Sequence, residues 1–183
     1  MTLMIRPAGP FHYDDLEAMP DDGYRREIIG GCLIVTPAPN YAHQRAQLRL
    51  AAILLAAETP DTRAVAAPFD WKHPDGGLVE PDLLVMRLAD VDPKGPLGPS
   101  ATPLLVVEVL SPSRPLLDTA LKRALYERLE VPAYWMVDPV EPSIVALRLA
   151  GGRYQVEAEV AGDEEFVTEW PFPVRFRPAE LPR

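Results

Sequence analysis

The chain has 183 residues, 48% of them hydrophobic and 25% charged, with one cysteine and a formal charge of −9. These proportions sit near globular averages and exclude wholesale disorder or a fibrous architecture, while the negative charge argues against a broad positive surface that grips nucleic acid nonspecifically. No apolar run approaches the roughly 20 residues of a membrane span, and MTLMIRPAG lacks the apolar core and cleavage site of a signal peptide, so the expectation is a cytoplasmic protein without a membrane partner.

The length fits one domain over residues 1–183, and the 22 prolines are scattered, which reads as many short loops rather than one linker. After the short amphipathic stretch YDDLEAM comes YRREIIGGCLIVTP, two β-prone runs around Gly30 and Gly31 that predict a hairpin. Cys32, inside it, has no partner for an intramolecular disulfide and reads as a small buried hydrophobe in a reducing compartment. Asn40 is placed to cap a helix whose apolar positions, Ala46, Leu50, Ile53, Leu54 and Ala57, recur at helical spacing.

TRAVAAPFDWK and GLVEPDLLVM predict two strands joined through HPDGG, with Pro81 marking an irregularity or an edge. The near-continuous apolar run PLLVVEVL is what a central strand covered on both faces shows. RPLLDTALKRALYERLE places Leu117, Leu121, Leu125 and Leu129 four apart behind Pro115 and predicts a second amphipathic helix. AYWMVD, IVALRL, GGRYQVEAEV and WPFPVRF follow as strands. The fold class is therefore α/β or mixed α+β: a central sheet with a helix on each face, an N-terminal hairpin and a C-terminal β-ribbon.

Glu108 is the residue that does not belong. Side chains alternate along the strand, so it shares a face with Val106 and Leu110, and an unpaired carboxylate in such a place costs several kcal/mol unless a cation, a metal or hydrogen-bond donors stand beside it. Asp82, at the start of another apolar run, is the natural second acid: two carboxylates converging from neighbouring strands would suit one hard cation such as magnesium, although acids at strand ends are common in any α/β domain. Asp118, Lys122 and Tyr126 form a stripe beside the leucine face of the second helix. Lys122 is either the solvated partner of Asp118 or, since its helix follows the strand of Glu108 almost directly, a long flexible cation that reaches back toward a phosphate or an attacking water. Glu27 is either a third acid or an ordinary hairpin charge paired with Arg25 or Arg26, and His43, in the first turn of its helix, reads first as a surface residue. Three histidines without tight spacing make a zinc site improbable, and no phosphate-binding glycine loop, nucleophile elbow or dinucleotide fingerprint is present.

Taken together, YRREIIGGCLIVTPAPNYAHQRAQLRL, VEPDLLVMR, LLVVEVLSPSRPLLDTALKRALYERLEVPAYWMVDP and IVALRL resemble the Uma-two family of restriction-endonuclease-like proteins over roughly residues 10–150. The most specific part is EVLSPS followed by D-x-x-x-K-x-x-x-Y and then Y-W-x-V-D-P. That family is grouped with the PD-(D/E)XK nucleases, so the resemblance implies a restriction-endonuclease-like core and metal-dependent hydrolysis of DNA. Pro81 and Asp82 look like the PD and Glu108 like the following acid, but Leu110 stands where the lysine would be, and Lys122 matches the position from which this family supplies it. On this likeness Asp82 and Glu108 would hold Mg2+, with Mn2+ as its surrogate, and Lys122 and Glu27 would join them in catalysis. His43, Arg45 and Arg114 would border the substrate, with Arg49, Lys72 and Arg123 as further cations of a DNA-binding strip. DNA is the implied partner and a homodimer the implied assembly. The other reading, a nuclease-fold nucleic-acid-binding or protein-interaction module that does not cleave, rests on the acidic charge and on Leu110.

Overall fold

A computed structural model describes residues 3–5, 9–20, 22–111 and 117–183. A short strand, β1 (Leu3–Ile5), and a 3-10 helix over Tyr13–Ala18 precede the hairpin of β2 (Arg25–Ile29) and β3 (Cys32–Thr36). Gly30 and Gly31 have φ of 58° and 73°, the left-handed pair that lets a two-residue turn follow the twist of its strands. Cys32 is only partly buried, because it sits at the turn end of β3 rather than in its middle.

Helix α1 (Tyr41–Ala56) starts where Asn40 predicts, its side chain accepting the His43 backbone N–H at 3.0 Å. That register buries Ala46, Leu50 and Leu54 but also His43 and Gln47, two polar residues at the N-terminal end of the inner face.

The next two expected strands each divide. Instead of continuous runs there are β4 (Thr62–Ala66) and β5 (Trp71–Lys72), then β6 (Leu78–Val79) and β7 (Leu83–Arg87). The breaks fall at Pro68 and Pro81, where a missing N–H interrupts ladder pairing; on one side of each break the strand belongs to one sheet, and beyond it to another. Thus β4 and β7 pair antiparallel in a large sheet, while β5 and β6 pair across HPDGG in a small one.

Strand β8 (Leu105–Val109) is buried at every position, antiparallel to β7 and parallel to β9 (Ala133–Asp138). The crossover is helical but not the single regular helix that leucine spacing predicts: a π-helical segment, Leu117–Lys122, leads into a short α2 (Arg123–Arg128). Pro115 lies outside the described residues. The expected terminal ribbon divides: strands β10 (Ser143–Ala150) and β11 (Arg153–Ala161) extend the large sheet, and β13 (Val174–Phe176), from WPFPVRF, pairs with β12 (Phe166–Thr168), a strand the sequence does not announce, in a separate two-stranded ribbon.

The result is a six-stranded mixed sheet, ordered β11-β10-β9-β8-β7-β4, facing a five-stranded antiparallel sheet, β1-β3-β2-β6-β5. One face of the large sheet is covered by α1 and the ribbon, through Leu50, Leu54, Val107, Trp135 and Phe166. The other face differs from the expected arrangement of a helix on each side. Ile29, Ile34, Trp71 and Val79 of the small sheet cover it, together with Leu125 and Tyr126 of α2, because the hairpin and β5–β6 join into a layer of their own. Strand alternation then decides what points into this layer: Ile29, Leu84 and Val106 lie in it, and so do the residues two positions from each, namely Glu27, Asp82 and Glu108.

Candidate functional site

At one end of the inter-sheet layer apolar side chains give way to charged ones. Glu27 from β2, Asp82 before β7, Glu108 from β8, Lys122 from the π-helical segment and His43 from α1 are all buried, none more than 3% exposed. Arg25 and Glu80, partly exposed, close the cluster on its open side.

Asp82 is held from several directions. Its Oδ2 accepts the Val109 backbone N–H at 2.8 Å and faces Nε2 of His43 at 3.1 Å, while Oδ1 accepts a guanidinium N–H of Arg25 at 3.0 Å. Gln47 donates to the backbone carbonyl of the same residue at 2.9 Å. Burial pushes the Asp82 carboxyl up, but the His43 hydrogen bond and the Arg25 charge outweigh it and hold the group well below the ordinary carboxylate range.

Glu108 has the compensation its apolar strand demands. Its Oε1 accepts from Lys122 Nζ at 2.8 Å and from the Tyr126 hydroxyl at 2.7 Å, which is how the stripe at 122 and 126 is used. Burial, followed by the neighbouring Glu108 charge, raises the Tyr126 hydroxyl well above its usual value, so it stays a donor. Lys122 also meets Glu27 Oε1 at 3.0 Å, an oxygen that accepts the Glu80 backbone N–H at 3.1 Å and Arg25 at 3.3 Å. For Glu27 burial again pushes upward, and Arg25 and Lys122 reverse it, leaving the carboxyl lowered. Its other oxygen, Oε2, is buried without a hydrogen-bond partner among the described residues.

Arg25 spans the group: Nη1 to Asp82, Nη2 to Glu27 and, at 3.8 Å, to Glu108 Oε2, and Nε to Glu80 at 3.3 Å. Four carboxylates against the cations of Arg25 and Lys122 leave a formal charge of −2. A cleft of about 420 Å³ opens onto Arg25, His43, Gln47, Glu80 and Asp82, with Tyr24 at its rim.

The donor set suits a hard divalent cation, which takes carboxylate and water oxygens, and the unpartnered Glu27 oxygen and the residual charge agree with it. Among the described residues no three His, Cys, Asp or Glu side chains form a ready-made cage; Arg25 and Lys122 stand between the acids instead.

Of the residues the sequence singles out, Glu27, Asp82, Glu108, Lys122 and His43 come together. His43 is not the surface residue its first-turn position suggests, because the Asn40 cap turns it inward onto Asp82. Glu27 does pair with Arg25, but as a buried acid rather than a solvated hairpin charge. Arg45 is not brought to the cleft: its Nε donates to the Arg183 carbonyl at 2.7 Å. Arg49, Lys72 and Arg123 do not line the cleft either, and Lys72 lies over the Tyr13 ring at 4.4 Å. Arg114 lies outside the described residues. Sequence reasoning passes over Gln47, Glu80, Tyr126 as a ligand of Glu108, and Arg25 as a site residue, although strand alternation already puts Arg25 and Glu27 on one face.

No curated protein matches the chain. Its fold is similar to the crystal structure of "a putative nuclease belonging to DUF820" from Anabaena variabilis, with a TM-score of 0.71, 18% identity, and coverage of 88% of this chain and 90% of that one. At that identity the likeness is one of fold. A family model, Uma2, described as "Putative restriction endonuclease", matches residues 13–178. The match takes in every strand except β1 and every residue of the acidic cluster, and the chain belongs to the Uma2 family.

Proposed function

We propose that the chain is a metal-dependent nuclease that hydrolyses phosphodiester bonds of DNA at the cluster of Glu27, Asp82, Glu108 and Lys122. The observation that carries this reading is Lys122, buried to 1% exposure with its ammonium 2.8 Å from Glu108 and 3.0 Å from Glu27. A lysine supplied by the helix after β8 takes the place that Leu110 leaves empty in the motif. Asp82 and Glu108 would hold magnesium, with Glu27 beside them. When bound, magnesium supplies activation of water and neutralisation of charge on the phosphate.

The chain's own residues have separable tasks. His43 and the Val109 N–H fix the Asp82 carboxylate before any ligand arrives, so no ordering is left for the moment of binding. Lys122 keeps a positive charge at the cluster floor, where it stabilises negative charge developing on a phosphate. Tyr126 holds Glu108 to the helix that carries Lys122. Cutting both strands of a duplex calls for two sites, so a homodimer belongs to the proposal, and sedimentation at micromolar concentration tests it.

The second reading, a nuclease-fold nucleic-acid-binding or protein-interaction module that does not cleave, is favoured by Arg25, which already contacts all four acids. Supercoiled plasmid incubated with the protein and Mg2+ or Mn2+ separates the two. Nicking that stops with chelator and falls about 100-fold or more in Asp82→Asn and Lys122→Met supports the nuclease. Nicking that survives Asp82→Asn removes the cluster from the reaction. Plasmid retention without nicking in either metal supports the binding module.

A further inference from the structure

We propose that Arg25 is a displaceable counter-cation: it closes the acid cluster in the metal-free protein, yields its place to an entering divalent cation, and turns into the cleft to meet the substrate phosphate. The inference rests on reading the cluster as a metal site.

Asp82 Oδ2 is committed to the Val109 N–H and His43, which leaves Oδ1 as the oxygen to offer a cation, and Oδ1 is the one Arg25 holds. Glu108 Oε1 is committed to Lys122 and Tyr126, and its Oε2 is the oxygen facing Arg25 at 3.8 Å. A divalent cation held by Asp82 would therefore compete with the guanidinium for Oδ1, and the same guanidinium stands 3.8 Å from Glu108. Only one of the two cations in the cluster can give way. The Lys122 side chain is 2% exposed and enclosed by Glu27 and Glu108, whereas that of Arg25 is 18% exposed and lines the cleft. Arg25 is also the first residue of β2, next to the exposed Tyr24 and two residues after Gly23, whose φ is 78°, so its side chain swings from the end of a strand rather than from its middle. Once released, a planar guanidinium at the rim of an acidic cleft is suited to a phosphodiester, which it can grip through two parallel N–H donors.

The test is calorimetric titration of Mn2+ alone into the wild type, Arg25→Ala, Arg25→Gln and Asp82→Asn, with melting temperatures recorded with and without the metal. If Arg25 competes, both Arg25 variants bind Mn2+ about tenfold more tightly than the wild type, the factor for no longer breaking a few part-exposed ion pairs, and the metal raises their melting temperatures more. Both variants are then expected to cleave plasmid more slowly in spite of tighter metal binding. Arg25→Gln keeps donors and bulk, so it serves if Arg25→Ala does not fold. Equal or weaker Mn2+ binding in the Arg25 variants, with binding abolished in Asp82→Asn, overturns the proposal and leaves the metal site standing. Absence of Mn2+ binding in the wild type and the Arg25 variants alike overturns both.

Discussion

Replacing Lys122 by Met keeps an unbranched stem of similar length in a buried position and removes only the ammonium, so its cost isolates the electrostatics of the cluster. Lys122 and its partners Glu27 and Glu108 are at most 2% exposed in their side chains, and removing one member of a buried ion pair costs about 3–5 kcal/mol, because the remaining charge stays desolvated. At about 2–4 °C per kcal/mol for a chain of this size, the melting temperature at pH 7 is expected to fall by about 6–20 °C. The dependence on pH has a definite sign. In the wild type the lowered Glu27 carboxyl contributes stability that is present above its unfolded pKa of about 4.5 and is lost as pH falls through its native value. Without Lys122 the buried acids shift upward, so they cost stability at neutral pH and regain it by taking up protons as pH falls. The gap between variant and wild type therefore narrows from pH 7.5 toward pH 5. In a thermodynamic cycle, Glu108→Gln with Lys122→Met costs less than the sum of the single changes, since one stranded charge is gone. Thermal unfolding followed by circular dichroism measures all of this. A loss below about 1 kcal/mol at pH 7, unchanged at pH 5, would refute the view that Lys122 compensates Glu108.

Tyr126→Phe removes one donor from Glu108 without changing ring packing and is expected to cost about 1.5–3 kcal/mol in urea unfolding. His43→Ala takes away the largest influence lowering the Asp82 carboxyl, so the stability that this acid provides above its unfolded pKa of about 3.9 shrinks. The decline in stability as pH falls from 7 to 3 should then be smaller than in the wild type, with its onset still set by the unfolded pKa. Gly77→Ala drives a Cβ into the His73 ring and the Ile28 carbonyl. It should cost about 1–3 kcal/mol and weaken Mn2+ binding by disturbing the β2–β6 pairing next to Glu27. Gly98→Ala, which meets nothing within 4 Å, is the control.

How much of this could be read in advance depends on how local each signal is. The Gly30–Gly31 turn, the Asn40 cap and the buried run around Glu108 are decided by neighbours in sequence, and they appear as expected. The need of Glu108 for a cation was legible from one charged residue in an apolar strand, and Lys122 was a candidate for it, whereas the Tyr126 hydroxyl on the same stripe was passed over. What was hidden is which strands face each other across a layer. TRAVAAPFDWK and GLVEPDLLVM read as two strands, yet Pro68 and Pro81 divide them between sheets, and only that division sets Glu80 and Asp82 on either side of Arg25. Arg25 therefore read as a hairpin charge. Arg45 failed for a related reason: helical spacing gives a face but not its neighbour, and its neighbour is the backbone carbonyl of Arg183. The inward turn of His43 shows the same limit in the other direction.

Pro81 gives the stretch Glu80-Pro81-Asp82 the character of a hinge pin between two plates. Glu80 ends the run that pairs with the hairpin, and Asp82 opens the run that pairs with β8. The acids consequently ride on different plates, Glu27 and Glu80 on one and Asp82 and Glu108 on the other, and the thickness of the apolar filling between them sets their separation. Trimming Val106, which lines that filling opposite Leu84 of β7 and Tyr134 of β9, would change the spacing of the carboxylates as a shim changes a gap. Core volume in this layer is thus a tuning parameter for cation affinity, and substitutions far from the cleft can alter the site through thickness alone.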